Sequence, residues 1–343
     1  MTTSMWGISL LWALVFFYAI LGSIDFGAGF WAMVFHKQKD AKSGMLANRI
    51  ISPLWEVTNV FLVLFAVALV GLFPGAAYTL GSVLLVPGSL ILILLTIRTV
   101  FMVYAHVVPS KQTTLRMISG ATGILIPALL ITVFPLSHGY LLTKVGDHYV
   151  LPLGALFTSV SVYSFIVFGL VSELFISALF LGDYARVAED HTAFATYRRV
   201  ALFLGPLTLI FAMLILALIP PETNWIRNGL MNHWAWFVGS GLLFILGYSL
   251  VAMASSMKQV RYRFGLIAVI LQYLLGLIGY GRAHMPYIVY PMVTVSNSFT
   301  NVATFRTAVL VLVVGIAILF PGFVWFWRLF LENKTYAADQ DTY

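Results

Sequence analysis

Hydrophobic residues come along this chain in nine long runs that neither alternate nor keep to one stripe, with polar residues gathered in the short breaks between them. The runs cover roughly residues 6–34, 51–73, 79–107, 114–135, 150–181, 198–219, 230–254, 261–282 and 305–331. A helix needs about 20 predominantly apolar residues to cross a bilayer, so each run can span, and the longest predict tilt or extension past the hydrocarbon. Membrane β-strands are about half that length and alternate, which excludes a closed barrel. The widest break, residues 283–304, leaves no room for a soluble domain. The pattern predicts an all-α polytopic membrane protein with nine transmembrane helices, forming a single integral domain over residues 1–343.

Composition agrees. Of the 343 residues 61% are hydrophobic and 9% charged, with a mean hydropathy of +0.97. A soluble domain carries about a quarter of its residues as charges. Cysteine is absent, which removes disulfides, iron–sulfur clusters and thiolate metal sites. A net charge of +7 would suggest nucleic acid in a soluble protein, but here its distribution reads as membrane orientation, and no nucleic-acid partner is predicted. Lys37, Lys39, Lys42, Arg49, Lys111, Arg116, Arg186, Arg198, Arg199, Lys258, Arg261, Arg263, Arg328 and Lys334 fall on one side of the bilayer. Only Lys144, Arg227, Arg282 and Arg306 fall on the other. Fourteen cations against four put the first side in the cytoplasm, with the N-terminus outside and the C-terminus inside. The first run has no Lys or Arg ahead of it and is too long for a signal peptide, so a retained helix is expected.

Ionisable groups inside the runs are the candidates for chemistry, because an ionised side chain in hydrocarbon costs a few kcal/mol or more. The stretch RIISPLWEVTNVFLVLFAVALVGLFPGAAY, Arg49 to Tyr78, begins at a proline-marked entry (Pro53), sets Glu56 and Asn59 in its first turns, and stops at Pro74-Gly75. Three residues apart, Glu56 and Asn59 share one helix face. Asp25, Arg98 and Glu173 complete the set. At 1.5 Å per residue these three lie roughly 12–15 Å from the cytoplasmic helix ends and Glu56 about 7 Å. Four groups from four helices thus share one slab of the inner leaflet, and they are expected to converge inside the bundle.

Each group has two readings. Asp25, in the small-residue setting LGSIDFGAGF, is a proton-carrying or ligand-gating acid, or a structural acid paired with Arg98. Glu56, beside Trp55, Thr58 and Asn59, is a proton-transfer group or an acid that hydrogen-bonds a neighbouring helix. Arg98 stays charged and cannot relay a proton; it neutralises a carboxylate within the chain or holds an anionic group of a neighbouring subunit's cofactor. Glu173 takes part in the relay, or only contacts Arg98 or a partner helix.

The seven histidines, His36, His106, His138, His148, His191, His233 and His284, stand at helix ends or in loops. Axial haem ligation in a bundle takes a His or Met projecting from mid-helix, so no haem or metal is expected on this chain. His138, His148, His233 and His284 are expected at the outer interface. Pro286 and Pro291 forbid regular helix within residues 279–300, a segment expected to lie along the membrane surface or against a partner. No GxGxxG, Walker A, serine-triad or zinc motif is present.

DFGAGF (Asp25–Phe30), ISPLWEVTNVFLVL (Ile51–Leu64), FPGAAY (Phe73–Tyr78), Ile97-Arg98 and MPYIVYP (Met285–Pro291) give the chain a resemblance over essentially its whole length. It resembles subunit II of the cytochrome bd-type quinol oxidases, and is similar to the shorter subunit II of Gram-positive, Bacillus-like bacteria. The resemblance implies two four-helix bundles plus one peripheral helix, paired pseudo-symmetrically with a homologous subunit I in the bacterial cytoplasmic membrane. It implies a respiratory role in which quinol is oxidised and oxygen reduced to water. Haem b, haem d and the quinol-binding loop would belong to subunit I, and none of them to this chain. Members differ in whether a small single-helix subunit joins and whether subunit II holds a structural quinone. By the same resemblance Glu56 takes the place of the helix-2 acid associated with proton uptake, Asp25 matches the helix-1 acid, and Arg98 the helix-3 arginine. Val57 and Thr58 stand where many members have Gly and a polar residue.

The expected function is that of a haem-free subunit that supports subunit I and passes protons from the cytoplasm by way of Glu56 and Asp25, with Asn59 and Glu173 beside them. The residues alone also fit a free-standing proton-coupled transporter using the same acids.

Overall fold

The computed structural model describes residues 2–36, 41–107, 112–146, 148–254 and 260–330. Lys37, Lys39, Lys111, Lys258 and Lys334, and the side chains of His106 and His148, lie outside the described residues. In chain order come α1 (Thr3–Val34), α2 (Ala41–Leu72), α3 (Pro74–Val83), α4 (Leu85–Val107), α5 (Gln112–Ile131) and α6 (Val133–Ser137). A hairpin of β1 (Thr143–Val145) and β2 (His148–Val150) follows, then α7 (Leu153–Thr158), α8 (Val160–Val187), α9 (His191–Leu218), α10 (Asn224–Asn232), α11 (Trp234–Met253) and α12 (Arg261–His284). A second hairpin, β3 (Tyr287–Val289) and β4 (Val293–Thr294), leads through α13 (Val295–Ser298) to α14 (Val302–Phe330). Among the described residues eight helical stretches are long and apolar enough to cross a membrane, and Val302–Ile318 of α14 is a shorter apolar one.

Four predicted runs are each two helices; that over 114–135 breaks at Thr132, between α5 and α6. The run over 79–107 breaks at Leu84. Pro87 has no N–H for the carbonyl of Val83, so α3 cannot continue into α4. The run over 150–181 breaks at Ser159, which is extended (φ −79°, ψ 114°) and whose hydroxyl accepts from the Val162 N–H to start α8. The run over 230–254 breaks at His233, between α10 and α11. The opposite holds for the stretch that begins at Arg49. Its helix starts at Ala41 and passes through position 53, so the proline is not the entry. Glu56 is thus fifteen residues into α2, about 22 Å from its start rather than about 7 Å.

α1 is the central strut, packed against α2, α5 and α8; α4 leans on α5, α14 on α2, and α8–α9 and α11–α12 are helical hairpins. Small residues set the spacing: a Cβ on Gly27 would run into Ser177, and one on Gly123 would approach the Phe26 carbonyl. The main core lies where α1, α2, α8 and α9 meet. Trp31 stacks on Phe35 there, gives its indole N–H to Ser177 and meets Tyr197 edge-on. Of the segment 279–300, expected to leave regular helix, residues 279–284 are instead the end of α12. The β3–β4 hairpin tucks Val289, Val293 and Val295 against Ile8 and Leu11 of α1 and Leu72 of α2, closing one end of the bundle.

Candidate functional site

A completely buried ion pair stands at the centre of the site. Arg98 on α4 is 0% and Asp25 on α1 is 1% exposed. Arg98 Nη2 donates to Asp25 Oδ1 at 3.0 Å and to the Asp25 carbonyl at 3.1 Å. Nη1 donates to the Ser119 carbonyl at 2.8 Å and to Ser119 Oγ at 3.2 Å. The Phe26 ring lies 5.0 Å beneath the guanidinium. Gly29 and Gly123 make room: a Cβ on Gly29 would sit 3.0 Å from Nη1. One guanidinium therefore ties α1, α4 and α5 together. The pairing reading of Arg98 and Asp25 matches this geometry.

Glu173 on α8 is also buried and close enough for both charges of the pair to act on it, but it does not bond Arg98. Neither carboxyl oxygen finds a hydrogen-bond partner among the described residues, and the same is true of the Tyr18 hydroxyl on α1. Both line a cavity of about 300 Å³. It follows α1 from Ile8 to Phe26, about 27 Å at helical rise, between α2, α5, α8 and α12. Its walls are mostly apolar. Polar groups concentrate toward its two ends, with Tyr18, Ser23 and Glu173 at one and Ser137, Tyr280 and His284 at the other.

Glu56 does not join this cluster, contrary to the expected convergence of four ionisable groups. Leu54 and Thr58 are the buried residues of this turn, and Thr58 spends its hydroxyl proton on the Leu54 carbonyl. Glu56, two residues from each, points about 200° away and is exposed on this chain. It continues a line of exposed valines, Val60, Val63, Val67 and Val70. Asn59 is half-buried on the flank of the same turn.

Two histidines expected at the outer interface are buried instead. His138, just after α6, and His284, at the end of α12, have ring centroids 5.9 Å apart inside a collar that includes Trp225, Tyr280 and Phe165. Sequence reasoning missed this pair: three tyrosines flank His284, but only Tyr140 lies near His138, and Trp225 is far from both along the chain. His284 is the histidine that lines the cavity, and both its nitrogens are engaged, by Ser137 and by the Tyr287 carbonyl. The one histidine on the cavity wall therefore has no free nitrogen to offer as an axial ligand. Among the described residues no three His, Cys, Asp or Glu side chains come together as a metal site.

A family model described as cytochrome bd terminal oxidase subunit II matches residues 3–330. The chain belongs to that family. A Bacillus subtilis (strain 168) protein bearing the name cytochrome bd menaquinol oxidase subunit II is 43% identical over 343 residues, 99% of each chain. The solved bd oxidase of Geobacillus thermodenitrificans contains a chain 36% identical to this one, with a TM-score of 0.83 over 97% of this chain and 100% of that one. As a bd oxidase subunit II, the chain is one component of a multi-pass membrane complex with another subunit.

Proposed function

We propose that this chain is the haem-free subunit II of a quinol:oxygen oxidoreductase in a bacterial cytoplasmic membrane, braced against a subunit I that carries haem b and haem d. Nine helices cross, with the N-terminus outside and the C-terminus cytoplasmic. α1, α2, α4 and α5 form one four-helix bundle, α8, α9, α11 and α12 the other, and α14 is peripheral. The helix pairings support this grouping, and the cation distribution supports the orientation. The name of the Bacillus subtilis relative makes menaquinol the electron donor to test first.

Within this reading Glu56 and Asn59 take protons from the cytoplasmic side at the boundary with subunit I, and Asp25 and Glu173 accept them inside. Arg98 holds Asp25 in place. The observation that carries the proposal is the position of Glu56 in a line of exposed valines. Hydrocarbon does not tolerate an acid there, so a protein partner covers the face and meets the carboxyl.

The test is purification by a tag on this chain. A haem-bearing subunit comes with it, and Glu56→Leu slows oxygen reduction while the haem spectrum of the complex stays intact. A chain recovered alone that moves protons by itself would instead be a transporter, and unchanged turnover in the variant would remove the relay.

A further inference from the structure

Two guanidiniums are held together where α8 ends and α12 begins. Asp183, one turn before the end of α8, accepts from Arg186 Nε on Oδ1 and from Arg263 Nε on Oδ2, both at 2.9 Å. One carboxylate thus joins the two helix ends and takes up one nitrogen of each arginine. The Nη edge of either guanidinium makes no hydrogen bond among the described residues, and Arg263 is 42% exposed. Arg186 is the last residue but one of α8 and Arg263 the third of α12, so both sit where a span leaves the hydrocarbon. Cations are in excess at this level. On the adjoining helix ends Arg186, Arg198, Arg199, Arg261 and Arg263 stand against Asp183, Glu189 and Asp190, five charges against three. Asp190 is spent capping α9 through the Thr192 and Ala193 N–H groups, and Arg198 is spent on the Val251 and Ala252 carbonyls. α12 starts after Val260 without a side-chain cap, so its first N–H groups add partial positive charge to the same end. Two like charges drawn onto one carboxylate repel each other, and an anion at their Nη edges relieves that repulsion.

From this rim Val260, Phe264, Ile267 and Leu271, spaced four, three and four residues apart, run along one exposed face of α12, while Gly265, Leu266, Ala268 and Val269 are buried. Positive charge at the level of lipid phosphates, with an apolar stripe leading from it into the hydrocarbon, matches a polar head and an acyl chain together. We propose that Arg186 and Arg263, set by Asp183, bind the phosphate of an anionic phospholipid whose acyl chain lies along Phe264, Ile267 and Leu271. Arginine offers its N–H groups as a planar fork that fits two phosphate oxygens at once. A zwitterionic lipid brings an ammonium group as well, which the surplus of cations disfavours, so the site selects by net charge. A free phosphate gains nothing from the apolar stripe. The bound lipid ties α8 to α12 from outside the bundle, beside the bridge that Asp183 makes between them. On the orientation proposed above this is the inner leaflet, but the site depends neither on that orientation nor on the path through Glu56 and Asp25.

The experiment takes the intact complex, purified through this chain and stripped of lipid by detergent. It is titrated separately with phosphatidylglycerol and with phosphatidylcholine, and bound lipid is counted by native mass spectrometry. The parent should hold phosphatidylglycerol more tightly than phosphatidylcholine. The double variant Arg186→Gln/Arg263→Gln should weaken phosphatidylglycerol by about tenfold or more and leave phosphatidylcholine unchanged. Phe264→Glu sets a negative charge beside the site without touching either bond to Asp183, and on an exposed position it should spare assembly. It weakens phosphatidylglycerol in the same direction, and it decides the matter if the double variant fails to assemble. Equal affinity for the two lipids in the parent overturns the proposal, as does phosphatidylglycerol binding that the variants leave unchanged. Displacement of the lipid by millimolar inorganic phosphate overturns it too, since the site would then be one for a soluble anion. Oxygen reduction is not the readout, so this site and the proton path through Glu56 fail separately.

Discussion

Replacing Arg98 with Met breaks the buried pair from its cationic side, and the consequences can be worked out from its bonds. The substitution deletes all four hydrogen bonds from the guanidinium to Asp25 and Ser119. It leaves a carboxyl that is 1% exposed with no counterion. Breaking a buried ion pair by removing one partner costs about 3–5 kcal/mol, most of it the stranded charge rather than lost attraction. The double variant Asp25→Leu/Arg98→Met removes that charge too, and apolar replacements of similar volume range from neutral to about 1–4 kcal/mol stabilising. The single variant should therefore be much less stable than the parent, and the double variant should recover most or all of the loss. Large membrane complexes unfold irreversibly, so the measure is a rate: survival of the haem-bearing complex in detergent after heating, read by size exclusion. Equal losses in the single and double variants would refute the idea that uncompensated charge is the cost. The double variant also separates packing from function. If Asp25 carries protons, this stable complex still reduces oxygen more slowly than the parent.

Two further predictions rest on the end of the cavity lined by Ser137 and His284. Gly139→Ala places a Cβ against the Tyr290 carbonyl at a φ of +84°, with about 1–2 kcal/mol of backbone cost before any displacement; it should loosen the bond from the Tyr290 N–H to the Ser137 carbonyl and speed heat inactivation. His138 is held down to about 3 against an ordinary 6.5 by burial and by His284, so the unfolded chain takes up the proton first as pH falls. Its stabilising contribution is whole above about pH 6.5 and declines toward pH 3 by about 1.4 kcal/mol per pH unit. Heat inactivation of the parent should steepen with acidification over that window more than that of His138→Phe, and equal slopes would contradict it.

The pairing of Asp25 with Arg98 was legible because hydrocarbon leaves a buried ion almost no alternative to a counterion. The helix breaks were less so. Hydropathy is blind to them, since Leu84 and Ser159 lie in segments as apolar as their surroundings. Pro87 did mark the first break, because a proline forbids the bond to the residue four before it. The direction of Glu56 was not legible for a different reason. The inward residues of α2 after Leu54 and Thr58 include Leu62, Phe65 and Leu69 on the cavity wall, and its outward ones are valines. Both faces are apolar, so periodicity cannot say which meets lipid, a partner or the bundle. His138 and His284 stand 146 residues apart, and only the tertiary fold sets their rings 5.9 Å apart, with Ser137 bonded to His284.

The position of Glu56 makes the outer face of α2 an interface by a physical argument that can be tested without touching the acid. Val63 is 60% exposed in this chain, and Ile245 on α11 is 61% exposed. If both faced acyl chains, enlarging either to Trp would be tolerated, because lipid flows around an added ring. A packed protein interface instead resists an extra ring, with overpacking costing about 1–3 kcal/mol. The α2 face carries a carboxyl that lipid cannot solvate and the α11 position has none beside it, so the two should differ. Val63→Trp should lower the amount of haem-bearing subunit recovered with this chain, while Ile245→Trp leaves it unchanged. Equal recovery in both variants would mean that α2 looks into lipid at that level, and Glu56 would then need a counter-group from some other element to explain its place among the valines.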